Sequence, residues 1–216
     1  MRPFAGSRRV YFWLLVAAAL LALAFYFDEN VTSWMLAQRT PEGEAFMRKV
    51  SKWGDAPTLL VLGVLGAVIT YATGRRRWTL IFAAMLLACT IAGVFHPTIK
   101  MLAGRSRPGV KVNVGWTGPT LEQKYQSFPS GHTVASSAFF GALLLARRGI
   151  GLACLPIPIL IATSRLYLKA HHLSDVVFGA ILGFCCALLA WRLLRIWFDT
   201  EARLRKRSAP SLSSCS

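Results

Sequence analysis

The stretch WTLIFAAMLLACTIAGVFHPTI, residues 78–99, contains no Asp, Glu, Lys or Arg. An α-helix rises about 1.5 Å per residue, so a helix over this stretch is long enough to cross a hydrocarbon layer of about 30 Å. Apolar runs of about 18 or more residues are typical of transmembrane helices, whereas runs of about 10–14 residues are more often core helices of soluble proteins. The stretch therefore predicts a transmembrane helix.

Five further apolar runs lie on either side of this one, and 55% of all residues are hydrophobic. If each run forms a helix, the chain is an all-α polytopic membrane protein, with six transmembrane helices in one bundle and a single domain over residues 1–200. The shortest run has the least certain ends. The five runs cover residues 10–27, 57–73, 133–146, 150–167 and 175–198.

Three segments between or after the runs have a different character. Residues 28–56 alternate apolar and polar side chains at roughly helical spacing, which predicts short amphipathic helices on the membrane surface. Residues 101–128 are rich in Gly and Pro and are expected to form a long loop, a common location for functional residues. The basic segment 201–216 is expected to be a disordered cytoplasmic tail.

The chain has 25 basic and nine acidic residues, for a formal net charge of +16. The arginines cluster at the ends of the apolar runs rather than along one polar face, so anionic membrane lipids are the expected partner and nucleic acid is not. The basic residues favour, by a small margin, an orientation with both termini in the cytoplasm. The first apolar run has no clear small-residue cleavage site and is interpreted as a retained helix rather than a signal peptide.

With this topology, the ionisable side chains that composition does not explain all fall at the outer mouth of the bundle. Ionisable groups of a transporter would more often lie near the middle of the membrane. Several of the groups are cations, and cations that converge on one point favour a bound anion. Phosphate is the expected anion, because the guanidinium of Arg matches the geometry of the phosphate oxygens and Lys supplies a point charge. The residues at this mouth are Lys100, Arg107, Ser130, His132, Arg165, His171 and Asp175.

The sequence PSGH, residues 129–132, has the features of an anion-binding helix start. Ser130 is a good N-cap residue and Gly131 allows close approach of backbone N–H groups. His132 and His171 can both exchange protons near neutral pH, so one could act as nucleophile and the other as acid and base. Asp175 lies four residues after His171 and three after His172, so helical spacing alone does not decide which histidine it orients.

A metal site is the alternative interpretation of the histidines and Asp175. Dinuclear phosphatases use several carboxylates, and the outer mouth of the bundle offers only Asp175 and the loop residue Glu122 near the histidines. The neighbouring cations would also repel a metal ion. We therefore expect neither a metal nor another cofactor.

The spacing of these residues is similar to the three-part signature of the type 2 phosphatidic acid phosphatase superfamily. The resemblance covers residues 100–175 by motif and nearly the whole chain by hydropathy. All signature positions are filled in order: Lys100 and Arg107-Pro108, then Pro129-Ser130-Gly131-His132, then Ser164-Arg165, His171 and Asp175.

The resemblance implies a metal-independent membrane phosphatase that acts on a lipid phosphate at the periplasmic face of a bacterial inner membrane. It selects His171 as the nucleophile that forms a phosphohistidine, with Asp175 orienting it. His132 is implied as the proton donor to the leaving group and then the base that activates water. The residues implied to hold the phosphoryl oxygens are Lys100, Arg107, Ser130, Gly131 and Arg165.

Substrate and acceptor stay open at this level. Phosphatidic acid, phosphatidylglycerophosphate, undecaprenyl pyrophosphate and lipid A 1-phosphate all suit the site, and no obligate protein partner is evident. A lipid phosphotransferase would use the same residues; a soluble vanadium haloperoxidase shares the signature but not the hydropathy, and a transporter or scaffold is a remote alternative. Arg105, Lys169 and His172 lie outside the signature and are expected to face water rather than bind a headgroup.

Overall fold

The computed structural model describes residues 4–110 and 115–208, and within these ranges the chain forms nine α-helices, one short 3-10 turn at Gln123–Tyr125 and no strand. The predicted all-α class is confirmed. The helices are α1 Phe4–Tyr26, α2 Asp28–Ala37, α3 Pro41–Trp53, α4 Ala56–Ala72, α5 Arg76–Ala103, α6 Gly131–Ala146, α7 Arg148–Cys154, α8 Pro156–Tyr167 and α9 Leu173–Ser208.

Within the described part of the chain, three helical stretches are long and apolar enough to cross a membrane: Arg76–Ala103, Arg148–Tyr167 and Leu173–Ile196. Two bent pairs raise the number to five if each pair is one span: α1 with α2, bent by 55°, and α3 with α4, bent by 50°. A sixth apolar helix, α6, has 16 residues and is shorter than a usual span. The chain is thus an integral membrane protein by the length and composition of its helices.

The segment 28–56 is helical, as predicted, and forms α2 and α3. Thr40 caps α3 by accepting a hydrogen bond from the Gly43 N–H group, and Pro41 occupies the first helical position, where no N–H donor is needed. Both helices pack against α8 and leave large apolar side chains exposed, including Trp34 and Trp53. These exposed rings agree with the amphipathic character expected of the segment.

Helices α5, α6 and α9 form the core, and their closest contact is between α6 and α9. Small residues permit this approach. A Cβ atom on Gly183 would lie 2.4 Å from the Val134 carbonyl oxygen, so the α9 backbone lies directly against the α6 backbone. Gly179 is one turn earlier on the same face, near the Ser130 carbonyl. This Gly-x-x-x-Gly contact holds the first turn of α6 against the second and third turns of α9.

The loop after α5 folds back over the end of that helix. Gly104 ends α5 in the left-handed conformation with φ 59°, and a Cβ atom there would lie 1.8 Å from the Gly118 carbonyl oxygen. Both constraints require glycine at this position. The sharp reversal places Arg105 and Arg107, which follow directly, above the bundle.

The predicted domain boundary at residue 200 stays a prediction. Helix α9 continues without a break to Ser208, so residues 201–208 of the expected disordered tail are helical. A helix continues wherever its hydrogen bonds can propagate, and nothing in these residues, such as Gly or Pro, stops it. The remaining tail, residues 209–216, lies outside the described residues.

Candidate active site

A cavity of about 330 Å³ lies between the start of α4, the second half of α5, the start of α6 and the end of α8. Six of the eight predicted site residues line it, and they come from four separate parts of the chain. They are Lys100, Arg107, Gly131, His132, Arg165 and His171. The structure therefore brings together most of the residues that the sequence singled out.

Three cations face this cavity. Lys100 lies in the last turn of α5, and Arg107 is held by a 3.1 Å hydrogen bond from its Nε atom to the Gln123 carbonyl oxygen. Arg165 donates from Nη1 to the hydroxyl of the buried Ser51, while its buried Nε atom has no partner in the described protein. Burial lowers the pKa of Arg107 below its usual value, as expected where charge is poorly solvated.

His171 is only 3% exposed, and its orientation is fixed by a backbone carbonyl. The Nδ1 atom lies 2.8 Å from the Ser127 carbonyl oxygen and 3.6 Å from Oδ2 of Asp175. A carbonyl oxygen can only accept, so Nδ1 carries the hydrogen and Nε2 keeps its lone pair. Burial lowers the pKa of His171 to about 4, although the Asp175 carboxylate opposes this shift, so the ring is neutral at pH 7.

Asp175 lies behind His171 and is fully buried. Its Oδ2 atom accepts hydrogen bonds from the Ser127 hydroxyl and from the His172 N–H group, and its Oδ1 atom accepts one from Arg105 at 2.5 Å. With these donors in place, the carboxylate acts on His171 at 3.6 Å by charge rather than by a short hydrogen bond. Asp175 thus lies behind His171 and does not line the cavity.

The expectation that Arg105 faces water is wrong, because this side chain is 8% exposed and bridges two buried carboxylates. Its Nη2 atom lies 2.7 Å from Asp28 Oδ2, and its Nη1 atom contacts Asp175 and the Ser174 hydroxyl. Asp28 also accepts from the Ser174 N–H group at 2.8 Å. Burial of a guanidinium is tolerable here because two carboxylates neutralise it and the rings of Phe25 and Trp116 lie about 5 Å away.

The PSGH segment forms the start of α6, as predicted, with Ser130 at the N-cap position. The Ser130 side chain makes no capping hydrogen bond, and its hydroxyl instead accepts a hydrogen bond from Thr133 Oγ1. The backbone N–H group of Ser130 donates to the Asp175 carbonyl oxygen at 3.1 Å. Ser130 is fully buried and joins the starts of α6 and α9, whereas Gly131 and His132 line the cavity.

The two other residues outside the signature differ from Arg105. His172 is half-buried, its Nε2 atom is 3.2 Å from the Ser106 carbonyl oxygen, and burial lowers its pKa. It therefore does not face water as expected. Lys169 is half-buried at the turn between α8 and α9, where it takes φ 54°.

Sequence reasoning missed several residues of the site. His96 lines the cavity four residues before Lys100, and its Nε2 atom is buried without a partner among the described residues. Asp55 also lines it and caps α4 by accepting from the Thr58 N–H group. The helical spacing of His96 and Lys100 could have been noticed, but no local pattern connects Ser127 with His171 or Asp28 with Arg105.

A model of the PAP2 superfamily matches residues 77–199, more than half of the chain, and the chain belongs to this superfamily. Its curated relatives are lipid phosphatases, and the protein is a phosphoric ester hydrolase. One relative, the decaprenylphosphoryl-5-phosphoribose phosphatase of Mycobacterium tuberculosis, is 36% identical over 174 residues, which cover 68% of this chain and 89% of the relative.

Two solved structures share the fold. The PAP2 type phosphatidylglycerolphosphate phosphatase of Bacillus subtilis aligns with a TM-score of 0.63 at 24% identity, covering 86% of this chain and 94% of that one. The crystal structure of Aquifex aeolicus LpxE aligns with a TM-score of 0.61 at 18% identity, covering 77% and 95%.

Proposed function

We propose that this protein hydrolyses a phosphomonoester or diphosphate of a membrane lipid, without a metal, through a phosphohistidine on His171. The observation that carries the proposal is the cavity itself. It gathers three cations beside a neutral, oriented histidine, and it contains two buried polar atoms that lack a partner in the described protein, Nε of Arg165 and Nε2 of His96. Buried polar atoms are normally hydrogen-bonded, so we propose that a bound anion accepts hydrogen bonds from these two atoms.

In the proposed first step, Nε2 of His171 attacks phosphorus, and the bond between phosphorus and the leaving oxygen breaks. This oxygen belongs to the lipid alcohol in a phosphomonoester and to the lipid monophosphate in a diphosphate. The imidazolium form of His132 gives its proton to the departing oxygen and becomes neutral. In the second step His132 removes a proton from water, the water oxygen attacks phosphorus, the P–N bond breaks and inorganic phosphate leaves. Lys100, Arg107 and Arg165 neutralise the charge on the phosphoryl oxygens, so positioned cations perform the role that Mg²⁺ performs elsewhere.

The donor set supports metal-independent chemistry in this proposal. No three His, Cys, Asp or Glu side chains lie together as a ligand set in residues 4–110 and 115–208. Asp175, the carboxylate nearest to His171, is already engaged by Arg105, Ser127 and His172.

The topology that we propose has six spans, with α2 and α3 lying at the outer membrane surface and α6 crossing as a short helix. The spans are α1, α4, α5, α6, the stretch formed by α7 and α8, and α9. Both termini are cytoplasmic, and the cavity opens to the periplasm of a bacterial inner membrane. In support, α5 carries Lys100 at one end and Arg76 and Arg77 at the other, and α6 runs from His132 to Arg147. The arginine-rich ends are those expected on the cytoplasmic side.

The test is phosphate release by purified protein in detergent from a panel of lipids in the presence of EDTA. The panel contains phosphatidic acid, phosphatidylglycerophosphate, undecaprenyl pyrophosphate, lipid A 1-phosphate and a polyprenylphosphoryl sugar phosphate, the last because of the mycobacterial relative. Water and lipid alcohols are compared as acceptors. Release that stops in EDTA and returns with Mg²⁺ contradicts the mechanism.

The choice of nucleophile is tested by two adjacent substitutions. His171→Ala should abolish turnover and trapping of a phosphorylated protein, whereas His172→Ala should keep both, because His172 contacts the Ser106 carbonyl and does not line the cavity. Equal loss in the two variants contradicts the assignment of His171.

A further inference from the structure

A second cavity, of about 700 Å³, lies at the end of the bundle opposite to the catalytic cavity. The first turns of α5, the last turn of α6 and the second half of α9 enclose it. Its floor is apolar, with two indole rings, and arginines surround its rim. We call it the arginine pocket: the floor includes Trp78, Leu80, Ile81, Trp191 and Leu194, and the rim consists of Arg75, Arg76, Arg77, Arg147 and Arg195.

The charges of the arginine pocket are not balanced by the described side chains. None of its lining residues is acidic, and no ion pair among the described side chains involves the five arginines. Arg147 instead lies over the Trp78 ring, with its Cζ atom 5.4 Å from the ring centroid. That contact orients one guanidinium while leaving its hydrogen-bond donors available.

We propose that the arginine pocket binds the headgroup phosphate of an anionic phospholipid, at a site separate from catalysis. Guanidinium groups match phosphate oxygens in geometry and charge. The apolar floor accommodates the glycerol and the first methylene groups of the lipid, and indole rings at the end of a membrane helix lie at headgroup depth. No histidine or carboxylate lines the pocket among the described side chains, so we propose that the lipid is bound there and not cleaved.

The experiment is native mass spectrometry of the full-length protein in detergent, titrated with phosphatidylglycerol or phosphatidylcholine. Phosphatidylglycerol is a phosphodiester and is thus no substrate for release of inorganic phosphate. The wild type should retain one phosphatidylglycerol in preference to phosphatidylcholine. The double variant Arg147→Gln/Arg195→Gln should bind it about 100-fold more weakly, because it removes two charge-assisted hydrogen bonds to the phosphate, each of which typically contributes about tenfold.

The matched control is Arg148→Gln/Arg192→Gln, because these exposed arginines lie next to Arg147 and one turn before Arg195 on the chain but do not line the pocket. The control should lose less than about tenfold, because exposed charges that do not contact the ligand are screened by solvent. Equal weakening in both double variants overturns the proposal in favour of a diffuse positive surface.

Two further arms identify the ligand and its location. Displacement of the lipid by millimolar inorganic phosphate overturns the lipid assignment in favour of free phosphate. If Arg165→Gln no longer retains phosphatidylglycerol, the lipid binds in the catalytic cavity, and this outcome also overturns the proposal. Size-exclusion profiles confirm that each variant is folded.

A different observation concerns His96, within the catalytic cavity. Its ring lies against the first residue of α6, since a Cβ atom on Gly131 would be 2.8 Å from both Cε1 and Nε2 of His96. Nε2 is therefore buried next to the helix start where an anion is favoured, and it has no hydrogen-bond partner among the described residues. His96 also shares a helix face with Lys100, four residues later.

We infer that Nε2 of His96 donates a hydrogen bond to a phosphoryl oxygen of the substrate; this inference rests on the proposed function. The role is binding and not proton transfer. Replacement by Leu should therefore lower kcat/KM about 10- to 100-fold, the usual effect of losing a hydrogen bond to a charged group, without changing the shape of the pH profile. His96→Gln keeps an N–H donor at similar reach and should recover most of the loss.

The inference is tested by the kinetics of both variants and by the protection of the protein against thermal unfolding by inorganic phosphate. His96→Leu should weaken this protection, and His96→Gln should restore it. Wild-type behaviour of His96→Leu, or failure of Gln to rescue either readout, overturns the inference. If the wild type releases no phosphate yet the protection differs between the variants, the proposed function fails while the anion contact of His96 stands.

Discussion

Replacing Arg105 by Gln removes the cation that joins two buried carboxylates. Asp28 on α2 is 5% exposed and Asp175 on α9 is fully buried, and Arg105 contacts them at 2.7 and 2.5 Å. Glutamine is shorter and neutral, so both carboxylates keep their negative charge but lose the group that neutralises it. Removing one partner of a buried ion pair typically costs about 3–5 kcal/mol, because the charge left behind is poorly solvated.

This loss is large compared with the total stability of a domain, about 5–15 kcal/mol. For a chain of this size each kcal/mol shifts the unfolding midpoint by about 2–4 °C, so Arg105→Gln should lower it by roughly 6 to 20 °C. Turnover should fall as well, because Asp175 and the Ser127 segment that orients His171 would no longer be held in place. Neither effect requires Arg105 to touch the substrate.

The assay is thermal unfolding in detergent alongside phosphate release, with Arg48→Gln as control. Arg48 pairs with Glu44 one turn earlier on α3, but it is 67% exposed, and exposed pairs contribute little. Asp28→Asn and the double variant complete a cycle that measures the coupling of the two residues. An unfolding midpoint of Arg105→Gln equal to that of Arg48→Gln, or additive effects in the cycle, would refute the reasoning.

Three further outcomes are expected. Between pH 6.5 and about 4, the unfolded chain binds a proton at His171, whereas the folded protein does not bind it, because burial lowers the pKa of His171. The free energy of unfolding should therefore fall by on the order of 3 kcal/mol as the pH decreases through this range. Thermal unfolding of His171→Asn at pH 7 and 4.5 should lack this contribution, and an equal pH response of both proteins would contradict it. Gly183→Ala should cost about 1–3 kcal/mol and lower turnover about tenfold or more, because its Cβ atom would displace α6 at Val134. Gly149→Ala, where a Cβ atom meets nothing within 4 Å, should change neither quantity, and similar effects of the two would contradict the backbone contact. Asp28→Asn should lower turnover although Asp28 lies outside the catalytic cavity; unchanged kinetics would show that the carboxylate supports stability alone.

The class of fold was predictable because a membrane requires long apolar helices, and residues 78–99 satisfy this requirement without any knowledge of tertiary contacts. The number of spans was less accessible. The bends between α1 and α2 and between α3 and α4 depend on packing against α8 and α9, which hydropathy does not describe. Likewise, composition alone did not indicate that α9 continues to Ser208.

The spacing of the motifs predicted which residues meet at the cavity, since Lys100, His132 and Arg165 all lie near the ends of helices at one face of the bundle. It did not predict what orients them. The hydrogen bond from His171 to the Ser127 carbonyl involves a backbone acceptor, which every residue type has, so the sequence does not indicate it. Arg105 was misjudged for a related reason, because its partner Asp28 is 77 residues away in sequence.

The bridge between Asp28 and Ser174 has a consequence for how this protein can vary among its relatives. The family model begins at residue 77, yet Asp28, Ser51 and Asp55 contact or line the catalytic machinery from the preceding helices. A relative that retains the signature but exchanges its first helices must provide another carboxylate for Arg105 and another hydroxyl for Arg165, or lose both supports. Residues 77–199 are therefore not self-sufficient: grafting them onto a foreign N-terminal segment transfers the groups proposed to react without the residues that hold them in place.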